Sequence, residues 1–94
     1  MRYELWIERA AERELQDLEP ELRGRVIERI RGLADDPRGP NTKALAGGLR
    51  GLRRLRIGDW RVCYQIEEEA AAVTIIEIDH RQDIYRRLLR RRRG

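Results

Sequence analysis

Phenylalanine is missing from this chain, and cysteine, histidine and methionine occur once each. Because Cys63 is the only cysteine, no intramolecular disulfide can form, and one Cys with one His cannot make a zinc-ligand set. No apolar run approaches the roughly 20 residues that span a bilayer. The opening Met1-Arg2-Tyr3-Glu4 also lacks the pattern of a signal peptide. A cytoplasmic protein without metal, cofactor or membrane association is therefore expected. Lysine is nearly absent too: Lys43 is the only one among 21 cationic residues, so the positive charge is almost all arginine.

Charged residues make up 40% of the 94-residue chain and leave a net charge of +4, which favours a polyanionic partner. Arginine suits planar, bidentate recognition of phosphate. The length fits one small domain, residues 1–94, that buries about two-thirds of its unfolded surface.

The chain opens with alternation: Tyr3, Leu5 and Ile7 against Arg2, Glu4 and Trp6 predict a short strand. Trp6 is out of phase with the apolar set, so it covers the other face of the sheet or meets a partner. From Glu8 the period becomes helical, with Ala11, Leu15 and Leu18 on one stripe. Glu19-Pro20 interrupts it, and Pro20 suits the first position of a second helix running to about Asp35, with Leu22, Val26, Ile30 and Leu33 in line. Asp35–Asn41 has the composition of a loop. Lys43-Ala44-Leu45 reads as a helical turn, and Gly47-Gly48 leaves little regular structure after it. Glu67-Glu68-Glu69 reads as a solvated acidic turn. Ala72–Asp79 is a strand with apolar residues on both faces, and Arg86–Arg93 is a short helix. The order β-α-α-β-β-β-α predicts an α+β fold. A small antiparallel sheet of about four strands packs on an N-terminal αα-hairpin, with a short C-terminal helix.

Between these elements lies Leu52–Tyr64, two alternating runs that meet at Gly58-Asp59. A two-residue turn that begins with Gly suits the primed hairpin types, since Gly accepts positive φ. The register then sets Ile57 opposite Trp60, Arg56 opposite Arg61, Leu55 opposite Val62 and Arg54 opposite Cys63. One face carries Leu55, Ile57, Trp60, Val62 and Tyr64, a core. The other carries Arg54, Arg56 and Arg61. Like charges across a ladder are destabilising, so this second face reads as an anion site. Cys63 reads as a small buried hydrophobe rather than a nucleophile.

With these segments in view, the chain resembles the RelE/ParE superfamily of toxins from toxin–antitoxin modules, on its RelE-like branch. The resemblance rests on the Tyr3–Leu18 strand and helix, Asp36-Pro37-Arg38, Lys43-Ala44-Leu45 with Gly47, Leu55–Tyr64 and His80-Arg81-Gln82-Asp83-Ile84-Tyr85. It implies a microbial RNase-like fold and metal-independent cleavage of messenger RNA on the ribosome, by attack of a 2′-hydroxyl on the adjacent phosphate. It also implies a cognate antitoxin as partner, through which alone operator DNA is reached. The family's site residues fall on Arg54, Arg61, Arg81 and Tyr85. The cations would bind the phosphate and the leaving group, and Tyr85 would stack on a base or orient the attacking hydroxyl. Lys43, Arg53 and Arg56 are expected to contact RNA or ribosome. The bacterial archetype has a lysine two residues before the position of Arg54, where this chain has Leu52. That leaves the general base open, with His80 the candidate that titrates near neutrality. Two other functions remain: a non-nucleolytic, ParE-like gyrase inhibitor, and a degenerate toxin that only binds its antitoxin and regulates an operator.

Overall fold

Alternating and helical periods succeed one another along the chain, and the elements follow them. The structure, a computed structural model describing residues 2–80 and 83–93, runs β1 (Glu4–Ile7), α1 (Arg9–Gln16), α2 (Pro20–Gly32), β2 (Thr42–Ala44), β3 (Leu52–Ile57), β4 (Trp60–Glu67), β5 (Ala72–Asp79) and α3 (Asp83–Arg93). A 3₁₀ turn at Gly47–Leu49 precedes β3. Among the described residues, no helix is long and apolar enough to cross a membrane.

The hairpin forms in the expected register, with Ile57 against Trp60, Arg56 against Arg61, Leu55 against Val62 and Arg54 against Cys63. Gly58 has φ +59°, whereas Asp59 is not among the residues of positive φ. That combination is the type II′ pattern, which demands glycine at its first central position.

The sheet differs from the expectation in two ways. It has five strands, ordered β1-β5-β4-β3-β2, because Thr42–Ala44 adds to the edge of β3 as a strand rather than curling into a helical turn. It is also mixed: β1 pairs with β5 in parallel, and the other pairs are antiparallel. The αα-hairpin carries the chain from β1 to β2 at the opposite edge of the sheet. The strands then step back until β5 lies between β4 and β1, an interior place that explains the apolar residues on both its faces.

Two cores sit on opposite sides of the sheet. Under the αα-hairpin, Ala11, Leu15, Val26 and Ile30 meet Leu55, Val62, Tyr64 and Ile75. Beneath α3, Ile84 and Leu88 cover Leu52, Cys63 and Leu49. A Cβ at Gly48 would lie 2.6 Å from the tip of the Leu89 side chain of α3, which would have to move to admit it.

A β-bulge sets which residues of β5 face which core. Cys63 pairs with Glu77 and Tyr64 with Ile75, so Ile76 is the extra residue. Past it the alternation is shifted by one: Ile78 enters the first core, and Glu77 faces α3 instead of the apolar helices. Without the bulge a carboxylate would be buried against leucine and valine.

The loop from Asp35 to Asn41 is tied to the sheet. The fully buried Tyr64 hydroxyl donates to the Pro37 carbonyl at 2.6 Å. Arg53 donates to the hydroxyls of Tyr64 (3.4 Å) and Thr42 (3.0 Å), and Thr42 donates to the Gly39 carbonyl at 2.7 Å. The acidic turn is more than solvated charge. Glu68 accepts from the Tyr3 hydroxyl at 3.0 Å and pairs with Arg38 at 2.8 Å. Those bonds hold its carboxyl below the usual range, although such exposed contacts add little stability.

Cys63 reports on the docking of α3. It is fully buried beneath that helix, and burial pushes its thiol pKa up to about 12. A disulfide reagent at mildly alkaline pH should leave the native thiol unmodified for hours. Leu88→Ala, which removes packing worth ~2–5 kcal/mol, should speed modification at least about tenfold by favouring local opening. Modification of the wild type within minutes would show that α3 does not cover the sheet.

Candidate functional site

Directly paired residues on antiparallel strands point to the same side. Lys43 on β2 pairs with Arg54 on β3, Arg54 pairs with Cys63 on β4, and Arg56 pairs with Arg61 one step along the same face. Three neighbouring strands therefore raise four cations on the side of the sheet where α3 lies. Tyr85, in the first turns of α3, closes the group. Its neighbour Ile84 is fully buried and fixes the helix there. Lys43, Arg54, Arg61 and Tyr85 line one open cleft of about 300 Å³, with Ala44–Ala46 as its wall.

Among the residues whose side chains are described, 2–80 and 84–91, no carboxylate comes within ion-pair distance of Lys43, Arg54, Arg56 or Arg61. The hairpin turn instead holds two of the side chains by its carbonyls: Arg61 donates to Asp59 O at 3.0 Å and Arg56 to Gly58 O at 3.2 Å. The Nε of Arg54 is buried without an acceptor. Converging, preorganised cations without counter-charge are what a phosphodiester requires.

The carboxylates on this side of the sheet are engaged elsewhere. Arg87 of α3 bonds Asp79 and lies 3.5 Å from both Glu14 and Glu77. One helical turn later, Arg91 pairs with Glu8 at 2.9 Å and Glu77 at 3.4 Å. Glu77, only 6% exposed, is fully committed to these partners. The arginine run of the last helix is thus partly a docking device. Its sequence signal was the i, i+4 spacing of Arg87 and Arg91 against alternate acids Glu77 and Asp79.

Not every candidate joins the cleft. Arg53 points to the helical side, where Tyr64 and Thr42 hold it, so it is a structural clamp rather than an exposed RNA contact. Arg56 is exposed near the hairpin tip. His80 lines a separate cleft with Trp60, Asp79 and Arg87. Its ring lies 5.1 Å from that of Trp60, and its Nδ1 is 3.4 Å from Asp79 Oδ1. Arg81 lies outside the described residues. Leu52 is 4% exposed in the core under α3, so that position offers the cleft no charge. Lys43, by contrast, is brought into the cleft by a strand that the sequence did not announce.

Comparison with known proteins agrees with this architecture. Residues 6–85 match the family described as ParE toxin of the type II toxin–antitoxin system parDE. The chain is 36% identical over 88 residues to Toxin RelG of Mycobacterium tuberculosis, covering 93% of this chain and all of that one. Its fold is similar to the toxin–antitoxin complex RelBE2 of Mycobacterium tuberculosis, at TM-score 0.79 and 30% identity over 86% of this chain and all of the matched one. It is also similar to the archaeal RelE–RelB complex of Pyrococcus horikoshii, at TM-score 0.72 and 27% identity over 84% and 94% of the two chains.

The acidic cluster makes a pH-dependent prediction. Burial raises the Glu14 carboxyl above its ordinary value, opposed by the Ile78 N–H that it accepts and by the Arg87 cation. Folding then favours the protonated form. The stability from this group is complete below its unfolded pKa and is lost as pH rises through the folded one. Glu14→Gln should flatten that part of the stability–pH curve. Arg87→Met should move the Glu14 carboxyl titration, followed by NMR, further upward; an unchanged titration would mean that the ion pair is not formed.

Proposed function

The chain belongs to the ParE toxin family of type II toxin–antitoxin systems, and from that premise we propose that it is a metal-independent endoribonuclease that cuts messenger RNA in the ribosomal decoding site. The observation that carries this reading is the cleft in which Lys43, Arg54, Arg61 and Tyr85 converge.

The chemistry is transesterification. A 2′-hydroxyl attacks the adjacent phosphorus in line with the departing 5′-oxygen and leaves a 2′,3′-cyclic phosphate. Charge accumulates on the equatorial phosphate oxygens, and fixed guanidinium groups stabilise it without reorganising. Arg61 and Arg54, on adjacent strands of a hairpin with a defined register, take that role. Tyr85 offers a ring for stacking on a base and a hydroxyl for orienting the nucleophile. Arg81 is assigned to the leaving oxygen by resemblance alone. Arg56, at the rim, contacts the RNA backbone or the ribosome.

Control is assigned to a cognate antitoxin. Toxins similar to this chain are found in complexes with their antitoxins. A partner that neutralises this chain would present an amphipathic, partly acidic segment that orders on binding. Operator DNA would be reached only through that partner.

The match to ParE toxins also keeps the gyrase-inhibitor reading in play, and the two separate in one experiment. The chain is induced with and without its neighbouring gene product, and RNA ends are mapped by primer extension. Cuts inside translated codons, lowered by about 10² or more in Arg61→Ala and Arg54→Ala, are the expected result. Intact messenger RNA in arrested cells would overturn it. A DNA-damage response would then favour gyrase, and a harmless wild type would point to a degenerate toxin.

A further inference from the structure

In-line attack needs a group that takes the proton of the 2′-hydroxyl, and a guanidinium cannot, because it stays protonated far above neutrality. That requirement removes Arg54 and Arg61 as candidates. His80 lines a different cleft, and Leu52 is buried and without charge. Among the described side chains, two titratable ones remain on the cleft wall, Lys43 and Tyr85.

Resting on the ribonuclease reading above, we propose that the Lys43 amine is the proton acceptor of the reaction, the base for the attacking 2′-hydroxyl. The sheet holds Lys43 in position from both ends of β2. Arg56 N–H donates to Asn41 O at 2.9 Å, and Leu45 N–H donates to Leu52 O at 2.9 Å. Next to it, the Thr42 hydroxyl is fixed by Gly39 O and Arg53. An edge strand of three residues thus becomes a rigid mount for one flexible side chain. The charged and titratable groups facing Lys43 are Arg54 from β3, Arg61 from β4 and Tyr85 from α3. Among the side chains described, no carboxylate lies within ion-pair distance of the Lys43 amine.

The step balances without a co-reactant beyond water. The Lys43 lone pair takes the 2′-hydroxyl proton while the 2′-oxygen forms its bond to phosphorus. The bond from phosphorus to the 5′-oxygen breaks, its electron pair leaving on that oxygen, which takes a proton from water. The products are a 2′,3′-cyclic phosphate and a 5′-hydroxyl, and the Lys43 ammonium returns its proton to solvent.

The test is single-turnover cleavage of messenger RNA on programmed ribosomes by the purified chain across a pH series. Wild type should show a log rate that rises with pH at a slope near one. Lys43→Arg keeps the charge and should still co-sediment with ribosomes, yet lose about 100-fold or more in rate together with the slope. Lys43→Ala should regain activity with added primary amines, the rescued rates following amine basicity. A Lys43→Arg variant that cuts with the wild-type profile overturns the proposal. So does a Tyr85→Phe variant that alone loses the slope. A wild type that leaves ribosome-bound RNA intact fails the ribonuclease reading itself, a result separable from either of these.

Discussion

Arg56 faces Arg61 across a ladder where like charges repel, and no described carboxylate relieves them. The register cannot relax to avoid the clash. A slip of one residue would turn Leu55, Ile57, Val62 and Trp60 out of the helical core and bring arginine in. Burial of those apolar side chains, each worth roughly 1.5–3 kcal/mol, outweighs the repulsion between solvated cations. The hydrophobic face thereby imposes a positively charged one on its reverse. Core and candidate site are two sides of a single pairing.

A chain with 17 acidic residues had the means to neutralise that face, so where the acids go matters. Asp79 is opposite Arg61 in the ladder, yet its carboxylate bonds Arg87 of α3. Glu77 is beside Cys63 and is taken by Arg87 and Arg91. The last helix therefore does two jobs with one stripe. It covers Leu52 and Cys63 with apolar residues, and it occupies the carboxylates that would otherwise quench the hairpin arginines. The bulge at Ile76 is a precondition, since it is what turns Glu77 to that side. Charge sorting of this kind keeps Arg54 and Arg61 available for an anion while the net charge stays at only +4.

Elements governed by local pattern could be read from the sequence. The hairpin register followed from alternation and one glycine, and the limits of β5 from its apolar run between turns. The burial of Tyr64 followed from its phase, and that of Cys63 from its residue type. What escaped was decided by distant partners. Thr42–Ala44 is too short to show a period, and it becomes a strand only because β3 offers an unpaired edge. The parallel pairing of β1 depends on where the chain returns as β5. Arg53 was expected to contact RNA or ribosome with Lys43 and Arg56, but it points to the face opposite Arg54, where Tyr64 and Thr42 hold it. His80, at the end of β5, lies with its ring near that of Trp60 and lines a cleft of its own. The candidate site was legible where it lies on the hairpin and obscure where edge strand and last helix complete it.

The edge strand changes how the substitution at position 52 should be weighed. A leucine there removes a cation from β3 but adds packing under α3, which holds Tyr85 at the cleft. Position 43 lies across the ladder from Arg54, on the same side of the sheet, so an amine carried there reaches the same space from a different strand. Sheet geometry makes such exchange cheap. Any residue of the right phase on a neighbouring strand projects toward the common face, within the span of a side chain as long as lysine. The cleavage proposed above needs from this face a field of positive charge and one group able to accept a proton. The position that supplies each is secondary, provided the hairpin keeps its register.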